Sequence, residues 1–160
     1  MLIYIDYRKL QPRLLSKWPT VPIEVVPTAA PAVLRAVRLL GSSKPFLRLG
    51  GSAKAGPIVT DNGNFIVDAP FPALLTQKDL ATRSAASAED QQQESEKPRQ
   101  WDVNTLAKRL KEIVGVVETG IFWGQNGHEA GDEGGGQKPV AAYFGMEDGE
   151  VLVRDAVKRA

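Results

Sequence analysis

The sequence predicts an α/β protein in two parts: a remnant of a Rossmann-like parallel sheet, and a smaller ferredoxin-like βαββαβ domain. Three observations carry that expectation. The chain opens on the continuous apolar run MLIYID, which reads as a strand buried on both faces, as in a parallel sheet. Between residues 23 and 122 the segments run strand, helix, strand, strand, helix, strand, which is the split order of a ferredoxin-like sheet. The two outer strands, Leu2–Asp6 and Val151–Asp155, fall outside that order and would belong to a second sheet.

The elements follow from local chemistry. After the first strand comes YRKLQPRLLSKWPTVP, a basic stretch punctuated by Pro12, Pro19 and Pro22. IEVVP alternates as a short strand. TAAPAVLRAVRLLG reads as a helix: Thr28 can cap it, Pro31 is tolerated in its first turn, and Val33, Leu34, Val37 and Leu40 recur at helical spacing before Gly41. PFLRL is a second strand. GPIVTDNGNFIV is a hairpin, because Asn and Gly in Asp61-Asn62-Gly63-Asn64 enter positive φ at low cost. In WDVNTLAKRLKEIVG, Asp102 is the expected cap. Val103, Leu106, Leu110 and Ile113 are the buried stripe, and Gly115 is the stop. VVETGIFWG is a strand, and the last two strands turn around Glu147-Asp148-Gly149.

Two segments are expected to lie outside the packed elements. Residues 76–100 contain almost no large apolar side chain, cannot offset their ordering entropy, and read as a disordered insertion. Residues 125–139 read as a glycine-rich flexible insertion. The expected domains are therefore 1–22 with 140–160, and 23–124. A parallel strand needs partners that residues 7–160 scarcely offer, so the chain is expected to be the back portion of a larger α/β protein.

Composition excludes several classes of function. The 160 residues are 42% hydrophobic, enough for a packed core. Lys and Arg number 20 against 19 for Asp and Glu, so no basic excess points to nucleic acid or a membrane surface. With no cysteine there is no disulfide, thiolate metal site or cysteine nucleophile. No apolar run approaches the roughly 20 residues of a membrane span. Asp6, Arg8 and Lys9 interrupt any secretory leader pattern.

Few residues suggest chemistry. The Thr60–Asn64 cluster has one carboxylate, a poor ligand set for a hard cation, and reads as a turn. His128, the only histidine, lies in the glycine-rich insertion rather than on a rigid support. GGSAKAG lacks phosphate-loop spacing and no helix follows it. Trp18, Trp101 and Trp123 are scattered and read as packing residues. Lys9 differs. It follows the first strand, and open α/β sheets bind ligands at the carboxyl ends of their strands. A point charge there suits a phosphate or sugar hydroxyl, although a solvated surface lysine is the other reading.

IDYRKL, WPTVPIEVVPTAAPAVLRAV, GPIVTDNGNFIVDAPF, IVGVVETGIFWG and FGMEDGEV together resemble, in order, the carboxyl-terminal half of ribose-5-phosphate isomerase type A. The two unmatched insertions are of a kind expected in a fungal member. The resemblance implies a cytoplasmic homo-oligomer of the non-oxidative pentose phosphate pathway. Such an enzyme needs no metal or redox cofactor and interconverts ribose 5-phosphate and ribulose 5-phosphate through an enediolate. It implies that residues 1–22 and 140–160 are the remnant of the α/β isomerase domain. It also implies that the catalytic glutamate and phosphate loop precede this part, so the chain holds no catalytic residue and is expected to be inactive alone. Only Lys9, in Ile5-Asp6-Tyr7-Arg8-Lys9, carries over as substrate-binding. The alternative is a non-catalytic ferredoxin-like regulatory or dimerisation module.

Overall fold

The structure, a computed structural model, describes residues 2–53, 55–85, 100–131 and 134–156. They form two compact units, Arg13–Gly120 and Met1–Pro12 with Ile121–Ala160. In chain order the elements are β1 (Leu2–Asp6), a 3-10 turn (Tyr7–Lys9), β2 (Thr20–Val25), α1 (Ala30–Leu39), β3 (Phe46–Leu47), β4 (Phe65–Pro70), α2 (Gln77–Ala85), α3 (Val103–Lys111), β5 (Val116–Thr119), α4 (Gly127–Ala130), β6 (Ala141–Gly145) and β7 (Val151–Asp155).

The Arg13–Gly120 unit holds a four-stranded sheet of order β3-β4-β2-β5, in which all neighbours are antiparallel. Strands first and third in sequence are adjacent at its centre, as the ferredoxin-like order requires. The strand alternation shows directly in burial: Val21, Ile23 and Val25 of β2 are buried, and so are their β4 partners Val67 and Ala69. Val33 and Val37 of α1 and Leu106 and Leu110 of α3 complete the core at zero exposure. Each such side chain contributes about 1.5–3 kcal/mol relative to leaving it in water. Asp102 caps α3 as expected, its carboxylate accepting from the amides of Asn104 and Thr105 at 2.9 and 3.1 Å. Gly115 turns the chain after α3 with φ +94°, and a Cβ there would collide with the Ala29 Cβ.

Several expectations need correcting. Thr28 does not cap α1. It lies inside a 3-10 turn, Pro27–Ala29, whose proline fixes the approach, and α1 has no side-chain cap. The second strand shrinks to the two residues of β3. Beyond it, Arg48 instead bridges segments: its amide donates to the Ile66 carbonyl, and its carbonyl accepts from the Ile58 amide. Residues 76–100 are not wholly without structure. Thr76 and Asp79 cap the start of α2: the Asp79 carboxylate accepts from the Thr76 amide and hydroxyl at 2.7 and 2.6 Å and from Arg13 at 2.9 Å. These polar contacts fix the segment where apolar burial does not. Residues 86–99 lie outside the described residues. In 125–139, Asn126 is buried and closes a reciprocal capping box with Glu129 that nucleates α4. Asn126 also bridges in parallel to Lys138, while residues 132–133 lie outside the described residues.

The other unit is built on a mixed sheet of order β1-β6-β7. β1 pairs with β6 in parallel, and β6 pairs with β7 through the expected Glu147-Asp148-Gly149 turn. β1 is not buried on both faces, as its apolar run implies. It alternates, with Leu2 and Tyr4 49% and 78% exposed. Apolar composition reports what a strand can bury, and here the residues on one side of β1 have no cover.

Candidate functional site at the end of the parallel strands

β1 and β6 run in parallel register from Leu2 opposite Ala141 to Asp6 opposite Gly145, so both carboxyl ends finish at one edge of the sheet. A shallow groove lies there, lined by Tyr4, Ile5, Asp6, Tyr143, Gly145 and Val151. The chain leaves β1 through the Tyr7–Lys9 turn, closed by the Leu10 amide on the Tyr7 carbonyl at 2.8 Å. Lys9 is the last residue of that turn and is exposed.

Asp6 organises the turn. One carboxylate oxygen accepts from the Arg8 amide at 2.8 Å and from Arg8 Nε at 2.9 Å. The other accepts from Arg8 Nη2 at 2.7 Å. The side-chain hydrogen bonds from Arg8, then its backbone amide, hold the Asp6 carboxyl down at about 2. The Arg8 guanidinium is correspondingly raised by Asp6. Arg8 is therefore not an idle neighbour of Lys9. It fixes the aspartate that caps the turn on which Lys9 sits.

The TDNGN cluster is a turn with a second role. The Thr60 amide donates to the Asn64 carbonyl, the Gly63 amide donates to the Thr60 carbonyl, and Gly63 has φ +79°. Glu24 of β2, which the sequence did not single out, accepts from Thr60 Oγ1 at 2.7 Å and from Asn64 Nδ2 at 3.0 Å. Asn64, then Thr60, lower the Glu24 carboxyl against the opposing effect of its burial. The arrangement spends the cluster's donors on one carboxylate. Nearby, Arg48 grips the buried Asp68 with two parallel bonds of 2.8 and 2.6 Å. The alternating strand VPIEV contained the signal for Glu24: a lone carboxylate on the face opposite three buried apolar residues.

The other sequence candidates stay dispersed. His128 is exposed on α4, and Lys54 of the GGSAKAG segment lies outside the described residues. Trp101 is buried and donates its indole N–H to the Leu40 carbonyl at 2.9 Å, a packing role. Among the described residues, no three of His, Asp and Glu gather as metal ligands, and no helix is long and apolar enough to cross a membrane.

Comparisons with known proteins agree with one another. Over 156 residues the chain is 37% identical to a ribose-5-phosphate isomerase of Mycosarcoma maydis, covering 97% of this chain and 41% of that protein. A Schizosaccharomyces pombe ribose-5-phosphate isomerase is 34% identical over 157 residues, 98% of this chain and 43% of that one. Among solved structures, a D-ribose-5-phosphate isomerase in complex with phospho-erythronic acid matches with TM-score 0.62 and 29% identity, over 97% of this chain and 49% of that one. The ribose 5-phosphate isomerase A of Methanocaldococcus jannaschii matches with TM-score 0.60 and 28% identity, with the same coverages of 97% and 49%. The chain thus spans less than half the length of these relatives. The model of Ribose 5-phosphate isomerase A (phosphoriboisomerase A) matches residues 1–88, and the chain belongs to that family.

Proposed function

We propose that this chain is the substrate-contacting, non-catalytic part of a ribose-5-phosphate isomerase, and that Lys9 binds the sugar phosphate. The observation that carries the reading is the position of Lys9, one turn beyond the carboxyl end of a strand in parallel pairing. Aldose–ketose interconversion moves one proton between C2 and C1 while the carbonyl shifts between the same carbons. The enediolate between them gathers negative charge on oxygen. An ammonium held nearby stabilises that charge and the anionic substrate together. In this reading the base that moves the proton is supplied by the part of the enzyme beyond the matched segment. The reaction therefore belongs to an assembly of the length seen in the relatives, operating as a cytosolic homo-oligomer. The phospho-erythronic acid bound by one relative is a sugar-acid phosphate, the chemistry this reading requires.

The test is a hybrid in which residues 1–160 replace the matched segment of the Mycosarcoma maydis enzyme. Lys9→Ala should lower kcat/KM at least about tenfold, equivalent to about 1.4 kcal/mol. Lys44→Ala, an exposed lysine of the other unit, serves as control and should leave kcat/KM unchanged. Equal small effects of the two would remove Lys9 from the site. Residues 1–160 alone, made in a host without its own isomerase, should show no turnover.

A further inference from the structure

The chain contains two Asn-Gly pairs, Asn62-Gly63 and Asn126-Gly127. Such a pair is chemically labile, because glycine has no side chain to shield its backbone nitrogen from the preceding asparagine amide. The fold treats the two pairs in opposite ways. Asn62 and Gly63 are exposed in the hairpin turn, and Gly63 has φ +79° with open space around it. Asn126 is 5% exposed, and its Oδ1 accepts from the amides of His128 and Glu129 at 2.9 and 3.0 Å. Gly136 closes over the Asn126–Gly127 peptide group: a Cβ at Gly136 would stand 2.6 Å from the Asn126 carbonyl carbon and 2.8 Å from the Gly127 nitrogen. Asn62 also stands beside Glu24. The Glu24 carboxyl is held below its ordinary value by Asn64, then Thr60, with Asn62 adding to both against the opposing effect of burial. Across the sheet, Glu118 of β5 pairs opposite Glu24, and its own cation is Lys111 at 3.3 Å.

We propose that Asn62 is a site of spontaneous deamidation, and that the acid formed there opens the Glu24 lock of the TDNGN turn. The Gly63 nitrogen gives up its proton and attacks Asn62 Cγ. The N–Cγ bond forms, the Cγ–Nδ2 bond breaks, and ammonia leaves with that proton. Water then opens the cyclic imide. Opening at Cγ gives aspartate. Opening at the main-chain carbonyl gives isoaspartate, which lengthens the backbone by one methylene. The net reaction converts amide and water to acid and ammonia, and solvent supplies the only other reactant. The Gly63 amide donates to the Thr60 carbonyl at 2.9 Å, so the turn must open before the nitrogen reacts. That bond slows the step at Asn62, whereas at Asn126 burial, the capping box and Gly136 close both reacting groups. The product carries a carboxylate where Asn62 had an amide. It stands beside Glu24 and next to Asp61, so like charge replaces a group that favoured the Glu24 carboxylate. The inference is independent of the role of Lys9.

The experiment incubates the 160-residue chain in mildly alkaline buffer, folded and unfolded in urea, and follows both Asn-Gly peptides by mass spectrometry. Each site's protection is the ratio of its unfolded to its folded rate. Protection at Asn126 should exceed that at Asn62 by at least about tenfold, and fragmentation should find both aspartate and isoaspartate at position 62. Equal protection at the two sites, or no conversion of Asn62 in the folded chain while the unfolded chain converts, would overturn the site. The second arm tests the consequence. Asn62→Asp, the direct product, should lower the urea midpoint of unfolding. The same substitution should cost less in a Glu24→Gln background, because the repulsion requires both carboxylates. Equal losses in the two backgrounds would overturn the coupling to Glu24.

Discussion

The unit of residues Arg13–Gly120 and the unit built on β1, β6 and β7 treat similar apolar strands in opposite ways. In the first, β2 carries Val21, Ile23 and Val25, and all three are buried. In the second, β1 presents Leu2 and Tyr4 and β7 presents Val151 and Val153, and all four are exposed. Strand composition is alike, so composition does not decide burial. What differs is the presence of helices to cover the face: α1 and α3 belong to the same unit as β2, whereas the described residues offer none over Tyr4. One unit is complete in itself. In the other, among the described residues, the face that carries Tyr4, Val151 and Val153 is exposed.

Substitutions should separate the two units, beginning with the largest effect. Leu106→Ala removes a fully buried side chain from the core of this unit and should cost about 2–5 kcal/mol, read from urea unfolding followed by far-UV circular dichroism. A cost below about 1 kcal/mol would mean that the α3 core is looser than its burial indicates. Gly115→Ala is next. It combines a positive φ with a collision at Ala29 and should cost about 1–3 kcal/mol in the same assay. Gly63→Val tests strain without collision, since open space surrounds Gly63 at φ +79°. It should cost more than about 1 kcal/mol, and a neutral result would displace the turn from TDNGN.

A smaller, local effect is expected from acid at α2. Asp79 is held at about 2, first by the Thr76 hydroxyl, then by the Thr76 amide and Arg13. Its folded value lies below the ordinary carboxylate value of 3.8. The stabilisation is therefore complete above pH 4 and is lost as pH falls through about 2. Amide signals of residues 77–83 should broaden or shift over that interval, while those of α3 remain in place. Simultaneous loss of both helices would show that α2 is not an independent local structure. The smallest effect belongs to the uncovered face. Val153→Ala in the isolated chain should change stability by no more than about 0.5 kcal/mol. A large loss there would mean that the face is already covered, and the contrast between the units would fall.

Membership of the isomerase A family sets aside the reading of an unrelated regulatory or dimerisation module. It does not alter the contrast between the units, which stands on burial alone.

Much of the fold was legible because it is local. Period-two alternation marked β2, helical spacing marked α1 and α3, and Asp102 marked its own cap. Asn62-Gly63 located the hairpin turn, because positive φ depends on the residue itself. The candidate site was half legible: the first strand set Lys9 just beyond its carboxyl end, but the Asp6–Arg8 clamp that shapes its turn is a property of the folded chain. The remainder depended on residues distant in sequence. Glu24 meets Thr60 and Asn64 across 36 and 40 positions, and Arg13 meets Asp79 across 66. No window of the sequence contains those partners. By itself, the sequence determined β2, α1, α3 and the Asn62-Gly63 turn, through steric and entropic preferences carried by each residue. Only the tertiary structure decided that α2 forms, that Glu24 locks the TDNGN turn, and that one face of β1 is left open, because burial and pairing depend on what else is brought alongside.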